Sequence, residues 1–194
     1  FDPGPTAANI GSAIDLVSNQ SGILNFNILN NPTVKARGTS VINVVSQGLS
    51  NAQGRINNNT ITHVGGAEDS GNGVRVHAEE NSNLKVQINA NTINGVPSEA
   101  GILARSRNGN GRLDVIITNN NITLPNPLNE IGHNIQVEAG TSGSTFTNPT
   151  CAYVANNANS GRSQFGSDFR VRTASATHVI YLQGSGASAA TIWD

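Results

Sequence analysis

One short motif constrains this chain more than anything else in it: an apolar residue followed, three positions on, by asparagine. It occurs at Ile28 and Asn31, Ile56 and Asn59, Ile88 and Asn91, and Ile117 and Asn120, with a degenerate copy at Tyr153 and Asn156. The asparagines are spaced by 28, 32, 29 and 36 residues. A second marker, Ile14, Ile42, Val74, Ile102 and Ile135, steps by 28, 32, 28 and 33. Two markers that share one irregular period are the signature of a stacked repeat.

Inside each repeat the pattern is that of strands. Leu84, Val86 and Ile88 alternate with Lys85, Gln87 and Asn89. Leu113, Val115 and Ile117, and Leu24, Phe26 and Ile28, alternate with their neighbours in the same way. A period of two over such runs predicts half-buried strands and argues against disorder. The nearest approach to a helix, Ala7 to Val17, is weakened by Gly11. Asn72-Gly73, Asn94-Gly95, Asn108-Gly109 and Asn110-Gly111 are hairpin-type dipeptides. Hairpins, however, do not require a recurrent asparagine in register. The expectation is an all-β solenoid of about five coils, with insertions at turns after Thr62, Thr123 and Gly140. A repeat of this length cannot bury its own apolar face, so stacked coils must share one core.

Length and composition set the frame. The 194 residues, 20.1 kDa, fit one domain, 1–194, with residues 1–11 as an N-terminal cap or arm and 184–194 as a tail. Charged residues are 12% and the net charge is −1, so no basic field for nucleic acid is expected. No apolar run is long enough to span a membrane. The single cysteine, Cys151, excludes an internal disulfide and is expected to point inward with Tyr153 as an inert thiol. The chain has no Met and starts at Phe1, which predicts a processed piece. With 29 asparagines and 21 glycines, the composition points to a secreted, extracellular or cell-surface protein.

The strings Ile88-Asn89-Ala90-Asn91-Thr92-Ile93 and Gly101-Ile102-Leu103-Ala104 resemble right-handed parallel β-helix repeats of the pectate-lyase-like superfold. The likeness extends over residues 12–182. The segment from Cys151 to Val171, with Asn156-Asn157, Gly166 and Asp168-Phe169-Arg170-Val171, is similar to terminal coils of large secreted bacterial β-helix proteins. The resemblance implies a right-handed parallel β-helix. It implies little about activity, because this superfold hosts many functions.

Two sets of positions follow. An asparagine at a strand bend can bond its copy in the next coil, which predicts an Asn ladder at Asn31, Asn59, Asn91, Asn120 and Asn156. If the second marker points inward, two columns point outward: Asp15, Asn43, Arg75, Leu103 and Gln136, and Val17, Val45, His77, Arg105 and Glu138. Coils rise by about 4.8 Å, so Arg75, His77, Arg105 and Glu138 form one candidate ligand-binding cluster. The simplest reading is an Arg105–Glu138 ion pair across strands. Lyases of the superfold imply another: an arginine neutralises a uronate carboxylate and His77 removes a proton. Glycoside hydrolysis needs paired carboxylates, which this face lacks. No metal or cofactor is expected: the four histidines show no metal-ligand spacing. No regular Thr-x-Thr column of an ice-binding face is visible.

A solenoid leaves strand edges open at both ends. Tyr181, in a terminal strand, and Ile192 and Trp193, at the tip, are candidate assembly residues for a homo-oligomer or filament. The expected role is a secreted structural or adhesive module. The alternative is a polysaccharide-binding or uronate lyase-like protein acting on a surface glycan.

Overall fold

In a computed structural model of the chain, the described residues are 11–37, 39–64, 71–95, 99–124, 132–141, 148–161, 166–174 and 177–183. They form strands and turns, and among them there is no helix. The first coil is β1 (Ile14–Ser18), β2 (Ile23–Leu29) and β3 (Val34–Ala36). The second is β4 (Ser40–Ser46), β5 (Asn51–Asn57) and β6 (Thr60–His63). The third is β7 (Asn72–Glu79), β8 (Asn83–Asn89) and β9 (Thr92–Asn94). The fourth is β10 (Ala100–Arg107), β11 (Arg112–Thr118) and β12 (Asn121–Thr123), and the fifth is β13 (His133–Ala139), β14 (Thr150–Ala155) and β15 (Ala158–Ser160). β16 (Phe169–Thr173) and β17 (Ile180–Gln183) begin a sixth.

Strands of successive coils stack in three parallel sheets of six, six and five strands. This is a parallel β-solenoid of about five turns. The glycine-containing dipeptides do not make hairpins, since every strand pairs in parallel with its copy one coil away. In the first sheet Ile14, Ile42, Val74, Ile102, Ile135 and Phe169 share one column. In the second sheet Ile28, Ile56, Ile88, Ile117 and Val154 do the same. Val34, Ile61, Ile93 and Ile122 line up in the third sheet. These three apolar stacks meet along the axis, and most of their members are fully buried. Gly54 interrupts the second sheet's inner face because a methyl there would run into the ring and carbonyl of Phe26 one coil below.

The corner between the second and third sheets holds the coils together. One residue bends with φ near +57°: Asn30, Asn58, Ala90, Asn119 and Asn156 have φ of 56, 58, 56, 56 and 56°. The residue after each bend is a ladder asparagine. Asn31, Asn59 and Asn91 each donate a backbone N–H and a side-chain N–H to the Oδ1 of the next asparagine up, at 2.8–3.0 Å. Asn120 does the same to Asn157, at 3.0 and 2.9 Å. The second amide hydrogen of Asn59, Asn91, Asn120 and Asn157 goes to the carbonyl of an isoleucine in the coil below.

The fifth rung is therefore Asn157, not Asn156. Asn156 occupies the bend, and the apolar residue three positions before the rung Asn157 is Val154, in register with Ile117, rather than Tyr153. A one-residue slip reverses every side chain of a strand. For the same reason Cys151 and Tyr153 face outward, while Thr150, Ala152 and Val154 face the core. The half-buried Cys151 thiol has its pKa raised, mainly by burial and then by Asp114 beside it, so it stays protonated.

A second polar stack, absent from the sequence reading, fills the corner between the first and second sheets. Ser46 and Ser50 share a hydrogen bond of 2.8 Å. Ser50 Oγ donates to the Ser18 carbonyl at 3.1 Å, and Ser82 Oγ to the Ser46 carbonyl at 2.7 Å. Higher up, Ser106 Oγ lies 2.7 Å from Thr150 Oγ1 and 3.2 Å from His178 Nε2. The signal was present: Ser18 to Ser46 is 28 residues and Ser50 to Ser82 is 32, the two steps of the main repeat.

Three outcomes test this account. Asn91→Ala strands the buried Ile56 carbonyl and the Asn59 donors, and is expected to cost roughly 2–4 kcal/mol in urea unfolding. Asn157→Ala is expected to cost more than Asn156→Ala, and the reverse order would return the ladder to Asn156. Ala90 holds a left-handed backbone with a Cβ, so Ala90→Asn is expected to raise stability by about 1 kcal/mol.

Candidate functional site

The outward columns of the first sheet run as their spacing predicts. Asp15, Asn43, Arg75, Leu103, Gln136 and Arg170 form one, and Val17, Val45, His77, Arg105, Glu138 and Arg172 the other. This face is unusually covered. All of β4 is buried, as are His77, Leu103 and Gln136. Arg75, Arg105 and Arg107 are half-buried. The structure thus brings Arg75, His77 and Arg105 together, with Arg107 added on the outward side of β10.

The bonds within the cluster are specific. Asn43 links two coils, donating to Asp15 Oδ1 at 2.7 Å and accepting from Arg75 Nε at 2.7 Å. Arg105 Nε donates to His77 Nδ1 at 3.4 Å. His77 Nε2 lies 3.3 Å from Glu79 Oε1 without forming a hydrogen bond, so among the described residues this buried N–H has no hydrogen-bond partner. Glu138 stands beside Arg105 in register but accepts from Gln136 Nε2 at 2.8 Å instead. Among the described residues Arg75, Arg105 and Arg107 have no carboxylate within ion-pair distance. The expected Arg105–Glu138 bridge does not form, because each side chain has an alternative neighbour on its own face.

Electrostatics follow from that packing. The His77 pKa falls from 6.5 to about 2, first through burial and then through Arg105, Arg75 and Arg107. Arg105 is itself pulled down by burial and by Arg107 and Arg75, against the opposing pull of Glu138 and Glu99. With Nδ1 accepting from Arg105, the neutral ring carries its proton on Nε2. Its one lone pair is taken, and its proton affinity is far below the range in which a general base operates at neutral pH. The arrangement can hold an anion; it gives His77 no role as a base.

Other clusters do not compete. Ser106, Thr150 and His178 pair hydroxyls with an imidazole, but Ser106 and Thr150 are fully buried in the core corner. Arg112 Nε meets Asp114 at 3.0 Å on the second sheet. The outward columns of the third sheet, Thr60-Thr92-Asn121-Ala158 and Lys35-Thr62-Asn94-Thr123-Ser160, mix hydroxyls with amides, with no unbroken file of threonines. Among the described residues no three His, Cys, Asp or Glu side chains converge as metal ligands, and no helix is long and apolar enough to cross a membrane. Tyr181 is exposed on the last strand of the second sheet. Ile192 and Trp193, like the proposed cap 1–11 except Gly11, lie outside the described residues. Comparison of the chain with protein families, curated proteins and solved structures returns no match.

The histidine environment has a pH signature. His77, His133 and His178 all have pKa values lowered chiefly by burial. Below pH 6.5 the unfolded chain takes up protons that the native histidines refuse, so native stability falls as pH drops toward the folded-state values. Each such histidine contributes a slope of about 1.4 kcal/mol per pH unit within its window. His77→Gln is expected to flatten the fall between pH 6.5 and 5 by about one proton in denaturant titrations. A profile as steep as that of the parent protein would show that His77 is protonated in the fold.

Proposed function

We propose that this chain is a rigid extracellular structural module with an adhesive face, and that the outer face of its first sheet binds acidic glycan without cleaving it. The observation that carries this reading is the set of three arginines, Arg75, Arg105 and Arg107, that no described carboxylate bridges, gathered around a neutral and buried His77. A guanidinium whose fork is not occupied by a protein carboxylate is suited to a carboxylate or sulfate from outside. The parallel sheet fixes the strands bearing these groups about 4.8 Å apart, so little ordering remains to be done on binding. Binding rather than cleavage is favoured by the engagement of the His77 lone pair. A solenoid with buried stacks and two internal polar ladders also suits a rigid spacer on a cell surface.

The test uses polygalacturonate and heparin as probes. Both are expected to bind at low salt and to release as salt rises. Arg105→Ala is expected to weaken binding about tenfold, as loss of a charge-assisted bond does. Arg55→Ala, an exposed arginine on the second sheet, is expected to leave it unchanged. No ultraviolet-absorbing unsaturated product is expected. Equal losses for Arg55→Ala and Arg105→Ala, or no binding at low salt, would sink the proposal.

A further inference from the structure

Building on the glycan-binding role proposed for the first sheet, we infer that its ligand is a polysaccharide in which acid-bearing and neutral sugars alternate, and that Glu138 sets this choice. The order of charges along the solenoid axis carries the inference. On the fourth coil the outward columns hold Leu103, Arg105 and Arg107, with Arg75 and His77 one coil below. On the fifth they hold Gln136 and Glu138, and on the sixth Arg170 and Arg172. Cations therefore stand on the fourth and sixth coils, and a carboxylate stands between them.

The alternation is plainest in the second outward column. Arg105, Glu138 and Arg172 are successive members of it, each in register with the next. Arg105 and Arg172 are two strand spacings apart, about 9.6 Å at about 4.8 Å per strand. Such a file can close into ion pairs across strands, but this one does not. Glu138 Oε2 accepts from Gln136 Nε2 at 2.8 Å, along its own strand, and Gln136 is buried. Among the described residues Arg170 and Arg172, like Arg105, have no carboxylate within ion-pair distance.

The two arginine groups are built alike. Arg105 Nε donates to Nδ1 of the buried His77, and Arg170 Nη1 lies 2.8 Å from Nε2 of the buried His133. The His133 pKa is lowered by burial and then by Arg170, so this arginine too is held against a neutral ring. Arg172, two residues along the same strand, is exposed.

This pattern selects by spacing and by repulsion. In an extended glycan each sugar advances by close to one strand spacing. Acid groups on alternate sugars then reach the fourth and sixth coils together, and the second contact forms at high effective concentration. The sugar between them faces the side-chain oxygens of Gln136 and Glu138, which accept from hydroxyl or amide donors. An acid group on that middle sugar would instead meet the Glu138 carboxylate, and a like-charge contact of this kind rejects the wrong partner.

The experiment is calorimetric titration at low salt with two hexasaccharides. In hyaluronan uronates alternate with neutral N-acetyl sugars; in oligogalacturonate every sugar is acidic. The hyaluronan hexasaccharide is expected to bind about tenfold tighter although it carries fewer charges. Glu138→Gln is expected to raise the affinity for oligogalacturonate about tenfold and that for hyaluronan by less, closing the gap. Arg172→Ala is expected to weaken hyaluronan binding about tenfold and to remove the advantage of the hexasaccharide over a disaccharide with one uronate. Circular dichroism is expected to show both variants folded. Oligogalacturonate binding as tightly as hyaluronan, Glu138→Gln raising both affinities alike, or Arg172→Ala changing neither would overturn the inference and leave acidic-glycan binding in place. No binding of either probe would overturn the reading of the face, and the inference with it.

Discussion

The bend between the second and third sheets is the constraint on which the rest depends. Each bend pairs a left-handed residue with an asparagine whose amide and backbone N–H reach one oxygen in the next coil. Parallel pairing alone would allow neighbouring coils to slide by two residues without exposing the core. A buried asparagine that must meet its copy permits one register only, since a slip would leave its donors and acceptor unsatisfied in an apolar interior. This is how coils spaced by 28 to 37 residues along the ladder keep their columns aligned. The extra residues are placed between strands, beyond the reach of the ladder. The serine corner reinforces the same register from the other side of the second sheet.

The first and second sheets were legible because each of their strands puts at least two apolar residues inward, and the period of two repeats at a marked step. The third sheet was not. Its strands are three or four residues long and present at most one isoleucine or valine, as at Ile61 and Ile93, so there is no alternation to read. The slip at Asn156 has a similar origin. Tyr153 and Val154 are both apolar, and a step of 37 rather than 36 residues separates the choices. Only the doublet Asn156-Asn157, read as bend then rung like Asn30-Asn31 and Asn58-Asn59, decides between them. In the candidate site, position was legible and charge state was not. Column spacing placed His77 beside Arg105, but the burial that keeps His77 neutral depends on how that face is covered.

Once the inward columns are committed to the core, the outward ones are free to differ from sheet to sheet. The third sheet carries small hydroxyls and amides, while the first carries arginines with their bonds directed to neutral partners, Asn43 and His77. That choice bears on the binding proposed for this face. Had the arginines met carboxylates, their charge would be spent inside the protein. Against an amide oxygen and an unprotonated imidazole, their charge remains available while their side chains are held in place.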